Sequence, residues 1–243
     1  VPEGQSILQG LNMSGGRWFL LVLLIIGGAV VSLWRGWLQV PPQWNPWAPL
    51  DVKATPNLLT RYKLMRLRDD PQLCERALSS SGLRVAPQAD SPDAKCPLIN
   101  ALRVQGGEVA LSSSFLSSCR LAVSFALFEH HALQPAAQAI YGQAVTRVEH
   151  LGSFACRNVY SRENGRLSQH ASANALDIAG FRLADGRTVS VLKDWSGNDQ
   201  DARFLRQVRD GACGLFSVVL SPDYNAAHRN HFHLDVGPWW LCR

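Results

Sequence analysis

From Trp18 to Trp34 the chain carries no charged residue and is almost wholly apolar, with Arg17 and Arg35 on either side. No other feature restricts the fold so strongly. A run of about 17 residues is at the short limit for a bilayer-spanning helix, and Trp and Arg at its ends suit the membrane interface. A buried core helix is the bland alternative, but this segment is apolar on every side and precedes a proline-rich stretch. A cleaved signal peptide is the nearer rival. The run is longer than a usual signal core, and no small-x-small cleavage site follows directly. The expectation is an uncleaved signal anchor over residues 18–38, a transmembrane helix, after a short cytoplasmic N-terminus at 1–17. Met13 before Ser14-Gly15-Gly16-Arg17 would be a normal start for such an anchor, so the true start stays open between Val1 and Met13.

Pro41, Pro42, Pro46, Pro49 and Pro56, with Trp44 and Trp47 among them, predict a stiff extended stalk over 39–56. Residues 57–243 then form one domain. All six cysteines lie in that domain and none forms a CxxC pair. That usage fits disulfides in an oxidising compartment. The chain therefore reads as a single-pass bacterial inner-membrane protein with its C-terminal domain in the periplasm. Sequential pairing, Cys74–Cys96, Cys119–Cys156 and Cys213–Cys242, is the expected framework among several. The net charge of +5 is scattered, without a basic run interleaved with aromatics, so nucleic acid is not an expected partner.

Apolar residues at Leu58, Leu59, Tyr62, Leu64 and Met65 have helical spacing. Asp70-Pro71 is a helix start and Gly82 a stop. Residues 84–97 read as loop. Leu102–Val104 and Val109–Leu111 around Gly106-Gly107 read as a hairpin. Ser117 or Ser118 would cap a helix through Ala132, and Pro135 would begin another. Strands are expected at Val145–Val148, Ala175–Leu183, Thr188–Leu192, Phe216–Leu220 and Phe232–Val236, with a helix over Gln200–Val208. The class is α+β, an antiparallel sheet with flanking helices.

Four of the seven histidines fall in two short segments, Ser168–Asp177 and His228–Asp235. If Asn230–Val236 is a strand, His231 and His233 share a face while Phe232 and Leu234 turn to a core. His228 would turn back to the same place from the preceding loop. His170, seven residues before Asp177, reaches it only if its loop folds back. Two histidines, a carboxylate and an open fourth position are what a hydrolytic zinc site needs. His130, His131 and His150 lie outside these segments and read as ordinary surface or helix-end residues.

Ser168, His170, Ala175 and Asp177 resemble the SxHxxGxAxD motif of the LAS metallopeptidases, the D-alanyl-D-alanine peptidases and murein endopeptidases. Ala173 stands where that family usually has Gly. His228, His231 and His233 are similar to the murein-endopeptidase form of the second motif; Asn230 stands where the carboxypeptidases carry their Glu base. The stretch from Cys156 to Gly237, with Ala155-Cys156-Arg157-Asn158 and Ala175–Phe181, also resembles the bacterial extensin-like C-terminal domain family, from about Leu73 onward.

The resemblance implies a LAS-like fold and Zn2+ held by His170, Asp177 and His233. It implies His231 as general base with His228 assisting. Arg157 would hold a substrate carbonyl, carboxylate or oxyanion, with Arg162 and Arg166 close by, and Ser168 would bind substrate. The implied activity is a peptidase on peptidoglycan peptides. A zinc-binding module without hydrolysis, a wall-interaction protein without metal, and a zinc amidase are the alternatives.

Overall fold

The computed structural model describes residues 15–243, so most of the expected N-terminal segment, residues 1–14, lies outside the described residues. The described residues fall into two units, one ending at Asn45 and the other Pro46–Arg243. The first holds helix α1 (Gly15–Trp34), which buries no residue of its own. It is long and apolar enough to cross a membrane, with a mean hydropathy of 2.1. It stops at Trp34, earlier than 38, just before Gly36, whose φ of +72° continues no right-handed helix.

The second unit begins inside the expected stalk. Leu50 and Val52 are buried in its core, and the Val52 carbonyl accepts a hydrogen bond from His131. The packed body thus starts at Pro46, ahead of 57, because Leu50 and Val52 enter the core and Arg66 holds the Pro46 carbonyl.

Helix α2 spans Thr60–Arg66 and α3 spans Pro71–Ser79. Pro at the first turn and Asp70, accepting from Leu73 N at 2.9 Å, start α3 as the sequence indicated. Strands β1 (Arg84–Pro87), β2 (Leu102–Gly106), β3 (Ala110–Leu111) and β4 (Phe115–Ser117) follow. Residues 84–87 are therefore a strand, not loop. Nor do β2 and β3 pair as a hairpin: β2 lies between β1 and β4 in a three-stranded sheet, while β3 crosses to the main sheet. Gly106 and Gly107 let the chain change sheets, since a Cβ at Gly107 would meet the Glu129 carboxylate at 2.7 Å.

Ser118 caps α4 (Cys119–Phe128), which runs through a π turn at Glu129–Leu133 into α5 (Gln134–Tyr141). The rest of the chain gives β5 (Val145–Gly152), β6 (Ala175–Leu183), β7 (Thr188–Ser190), α6 (Val191–Asp194), α7 (Gln200–Cys213), β8 (Val218–Leu220), β9 (Phe232–Asp235) and β10 (Leu241–Cys242). The seven-stranded sheet runs β10-β8-β9-β6-β5-β3, with β7 on β6 beyond β9. Its centre is antiparallel. Its two outermost pairs, β10 with β8 and β3 with β5, are parallel, so the sheet is mixed rather than purely antiparallel. In each parallel pair the partners are separated by other elements, β9 between β8 and β10 and the helices between β3 and β5, as parallel pairing requires.

Leu176, Ile178, Phe181, Phe232 and Leu234 face a core shared with α4, α5 and α7. Edge-to-face contacts, Phe181 on Phe204 and Phe128 on Phe216, join sheet to helices. On β9 and the first part of β6 the odd-numbered neighbours turn to the other face. An irregularity of register opposite Glu149 and His150 then shifts the alternation, so that Phe181 and Leu183 also face the core.

Three disulfides close the unit. Cys213–Cys242 forms as expected, but the others are Cys74–Cys119 and Cys96–Cys156. Sequential pairing fails because α3 packs its Cys74 against the start of α4, and the 89–100 loop lies over the segment after β5.

Candidate metal centre

Asp177 on β6 lies directly opposite His233 on β9 in the ladder. Cross-strand partners stand side by side on one face, and His233 Nδ1 is 2.9 Å from Asp177 Oδ1. His170 comes from a short 3-10 turn, Gln169–Ser172, just before β6. Ser168 Oγ accepts from the His170 N–H at 3.3 Å and starts that turn. Ala173 ends it with a left-handed backbone, φ +52°. That conformation is free of cost to glycine and mildly strained for alanine, which explains why the resembling motif has Gly there. The fold-back brings His170 Nε2 to 3.2 Å from Asp177 Oδ1 and 3.1 Å from His233 Nδ1.

Each of four histidines has one ring nitrogen set by an acceptor. His170 Nδ1–H donates to the Ser153 carbonyl at 3.0 Å. His233 Nε2–H donates to Asp235 at 3.2 Å. His228 Nδ1–H donates to Asn225 Oδ1 at 2.8 Å, and His231 Nδ1–H to Asn230 Oδ1 at 2.8 Å. These bonds hold one nitrogen of each ring and leave the second as the atom that could meet a metal, once any proton on it is displaced. Asn225 is itself fixed, since Oδ1 also accepts from Ala227 N and Nδ2 donates to the Tyr160 hydroxyl. His231 Nε2 lies 3.7 Å from Asp177 Oδ1. The His228 ring sits 5.2 Å from that of His231 and 5.9 Å from that of His233.

The charges are tightly coupled. Burial alone would raise the Asp177 carboxyl, but hydrogen bonds from His170 and His233 hold it well below the usual carboxylate range. Burial alone would lower His233, yet Asp177 and Asp235 on its two nitrogens push it up to about 9. Without a metal, His233 is thus an imidazolium between two carboxylates. His228 is pushed down to about 4 by burial and then by the neighbouring His233 and His231. His231 is lowered by burial; Asp177 opposes this, and His233, His170 and Arg157 add to it.

The donor set fits zinc. Ligand atoms about 2.0–2.1 Å from a tetrahedral zinc lie about 3.3 Å apart. The three pairs here are at 2.9, 3.1 and 3.2 Å. His170, Asp177 and His233 converge within 4.8 Å of one another, two imidazoles and a carboxylate with outer hydrogen bonds already in place. A second grouping, Asp93 with Cys96 and Cys156, offers no thiolates because both sulfurs form a disulfide.

The structure brings His228 and His231 to the same cluster. Arg157 is exposed, and its charge reaches His231. Ser168 serves as the cap beneath His170. The sequence singled out neither Asp235 nor Asn225 as orienting groups, and the Ser153 carbonyl carries no side-chain signal at all. Asp235, two residues beyond His233 on the same strand face, was findable by alternation. The remaining histidines are in structural bonds: His130 with Glu108, His131 with the Val52 carbonyl, His150 with the Ser113 carbonyl.

The fold and cluster define an α+β domain with a candidate metal centre on the open face of its main sheet. Residues 72–243 match the family described as extensin-like protein C-terminus, and the chain belongs to that family. No curated protein and no solved structure matches the chain. The likeness to LAS metallopeptidases rests on the motif residues.

Proposed function

We propose that this chain is a zinc-binding domain of the cell envelope, tethered to the inner membrane by α1 with residues 1–17 on the cytoplasmic side. One observation carries the zinc reading. Three ligand atoms converge from two strands and a turn, and the outer nitrogens of both histidines are already committed to acceptors. The facing atoms, His170 Nε2, His233 Nδ1 and Asp177 Oδ1, stand 2.9–3.2 Å apart, close to the spacing of ligands on one tetrahedral zinc. Six cysteines in three bridges support an oxidising compartment.

A second reading, hydrolysis of peptidoglycan peptides, is favoured by His231. Its Nδ1–H is held by Asn230, so Nε2 is free to take a proton beside the three ligands. Burial lowers His231, which keeps that nitrogen unprotonated near neutral pH. Bound zinc would supply Lewis acidity at the open side of the trio. Arg157 would orient an anionic or carbonyl oxygen of the substrate, His228 would steady His231, and Ser168 would hold the His170 turn in register or touch substrate.

Zinc per mole of purified protein tests the first reading. Near one zinc, lost in His170→Ala and Asp177→Ala, supports it; no zinc in a folded, oxidised sample ends it. Incubation of the zinc-loaded protein with muropeptides, read by product mass, tests the second and separates a peptidase from an amidase.

A further inference from the structure

Helix α2 and the turn before it leave large apolar side chains outside. Lys63, Leu64 and Leu67 are buried, whereas Leu58 is 91 % exposed and Tyr62 41 % exposed. Leu58, in the turn that leads into α2, and Arg61 and Tyr62 on its first turn are all exposed. The Arg61 guanidinium lies 3.1 Å over the Trp240 ring. That contact extends the exposed group to Trp239 and Trp240, which are 63 % and 45 % exposed. At the far end of α2, Arg66 Nη1 donates to the Pro46 carbonyl at 2.8 Å, which ties the start of the domain to the helix. Surfaces that gather large apolar groups in this way usually have an occupant.

We propose that this face docks onto an anionic phospholipid surface. Trp, Tyr and Arg together suit a headgroup layer, where rings with one apolar and one polar side are stable. Charge agrees: α2 carries no acidic residue, and Arg61 stands exposed beside Trp240. The tether agrees as well. Only residues 35–45 separate the end of α1 at Trp34 from Pro46, at most about 40 Å of extended chain. If α1 spans the bilayer, Trp47 and α2 remain within reach of its surface. The tether argument rests on the anchor reading; the surface itself does not. Trp239 also lies 5.9 Å from Arg166, in the segment leading to Ser168 and His170. Docking would therefore hold the His170 cluster near the headgroups.

Among the described residues, 46–243 hold the hydrophobic core and the three disulfides while α1 buries none of its residues, so this unit folds without α1. It is sedimented with vesicles of phosphatidylglycerol and phosphatidylethanolamine, and with phosphatidylcholine alone. Binding to the anionic vesicles is expected, weakened by salt. Leu58→Glu, at an exposed position, and the double variant Trp239→Ser/Trp240→Ser should each lower partition about tenfold. Zinc content should stay at the parental level. No binding to anionic vesicles, or equal binding of parent and variants, overturns the proposal. A dimer in solution that Leu58→Glu dissociates would assign the face to a second copy and overturn it too. Whether α1 spans a membrane is read on the full chain, by resistance to alkaline extraction, so either result can fail without the other.

Discussion

His233 and Asp235, on one face of β9, are joined by a 3.2 Å hydrogen bond from the imidazole Nε2–H to the carboxylate. The other carboxylate oxygen accepts from Gly237 N at 2.8 Å, so Asp235 is held from both sides. This arrangement turns His233 Nδ1 toward Asp177. Outer carboxylates of this kind set ligand orientation and basicity. Asp235→Asn should weaken zinc binding by about 10–100-fold while the fold persists. Competition with a chelator of known affinity measures it; an unchanged constant would deny Asp235 a positioning role.

Zinc must displace the proton on His233. That proton is held up to about 9 in the metal-free protein, so at neutral pH the metal competes with it. Zinc affinity should therefore rise with pH, by up to about tenfold per unit, and level off near pH 9. Calorimetry in buffers of different ionisation enthalpy should show about one proton released per zinc at pH 7.5. Uptake of protons on binding would contradict the assignment.

His231→Ala and His233→Ala should separate binding from turnover. His233→Ala removes a ligand and should abolish zinc retention. His231→Ala should keep zinc near the parental level and, if the chain hydrolyses muropeptides, lower the rate about 100-fold or more. Loss of zinc in both variants would make His231 a ligand and close the site to chemistry.

Glu129, in the π turn, is 1 % exposed, and burial raises it to about 8, against a partial lowering by the Val109 N–H. The folded value lies above the ordinary 4.5, so the fold keeps a proton that the unfolded chain releases. Stability should fall as pH rises from about 4.5 to about 8 and then flatten. Glu129→Gln should relieve that loss, stabilising the protein at pH 8 by on the order of 3 kcal/mol with little change at pH 4. Thermal melts at the two pH values decide it; an equal effect at both would assign the change to packing instead.

The Cys96–Cys156 bridge ties the 89–100 loop to the segment whose Ser153 carbonyl sets His170. Ala155 N also donates to the His170 carbonyl at 3.2 Å. Closing a loop of 60 residues is worth about 4 kcal/mol in the chain-entropy account. Cys96→Ala/Cys156→Ala should lower stability by about that much and weaken zinc binding as well. Denaturant melts beside zinc titration check both; a stability loss with unchanged zinc affinity would show that the bridge does not hold His170.

Several local choices were legible in the chain because they rest on neighbours. Asp70 with Pro71, Ser118 before α4, and Asp185-Gly186 between β6 and β7 satisfy or relieve backbone groups within a few residues. The apolar pattern of Leu176, Ile178, Phe232 and Leu234 fixed which face of each strand is buried. It thereby placed Asp177 and His233 on the opposite face. The uncharged run ahead of Arg35 set α1. The helical spacing around Tyr62, Leu64 and Met65 gave α2 but not its orientation: Tyr62 and Met65 face outward, because Leu64 and Leu67 hold the core contact.

Tertiary structure alone decided the rest. The ladder register sets Asp177 against His233 across 56 residues of sequence, and only the left-handed turn at Ala173 brings His170 to them. The pairing of Cys74 with Cys119 and of Cys96 with Cys156 depends on which elements pack together, and residue spacing carries no record of that. Local hydrogen bonding and alternation are written in consecutive residues; the meeting of distant segments is settled by the energy of one whole packing against another.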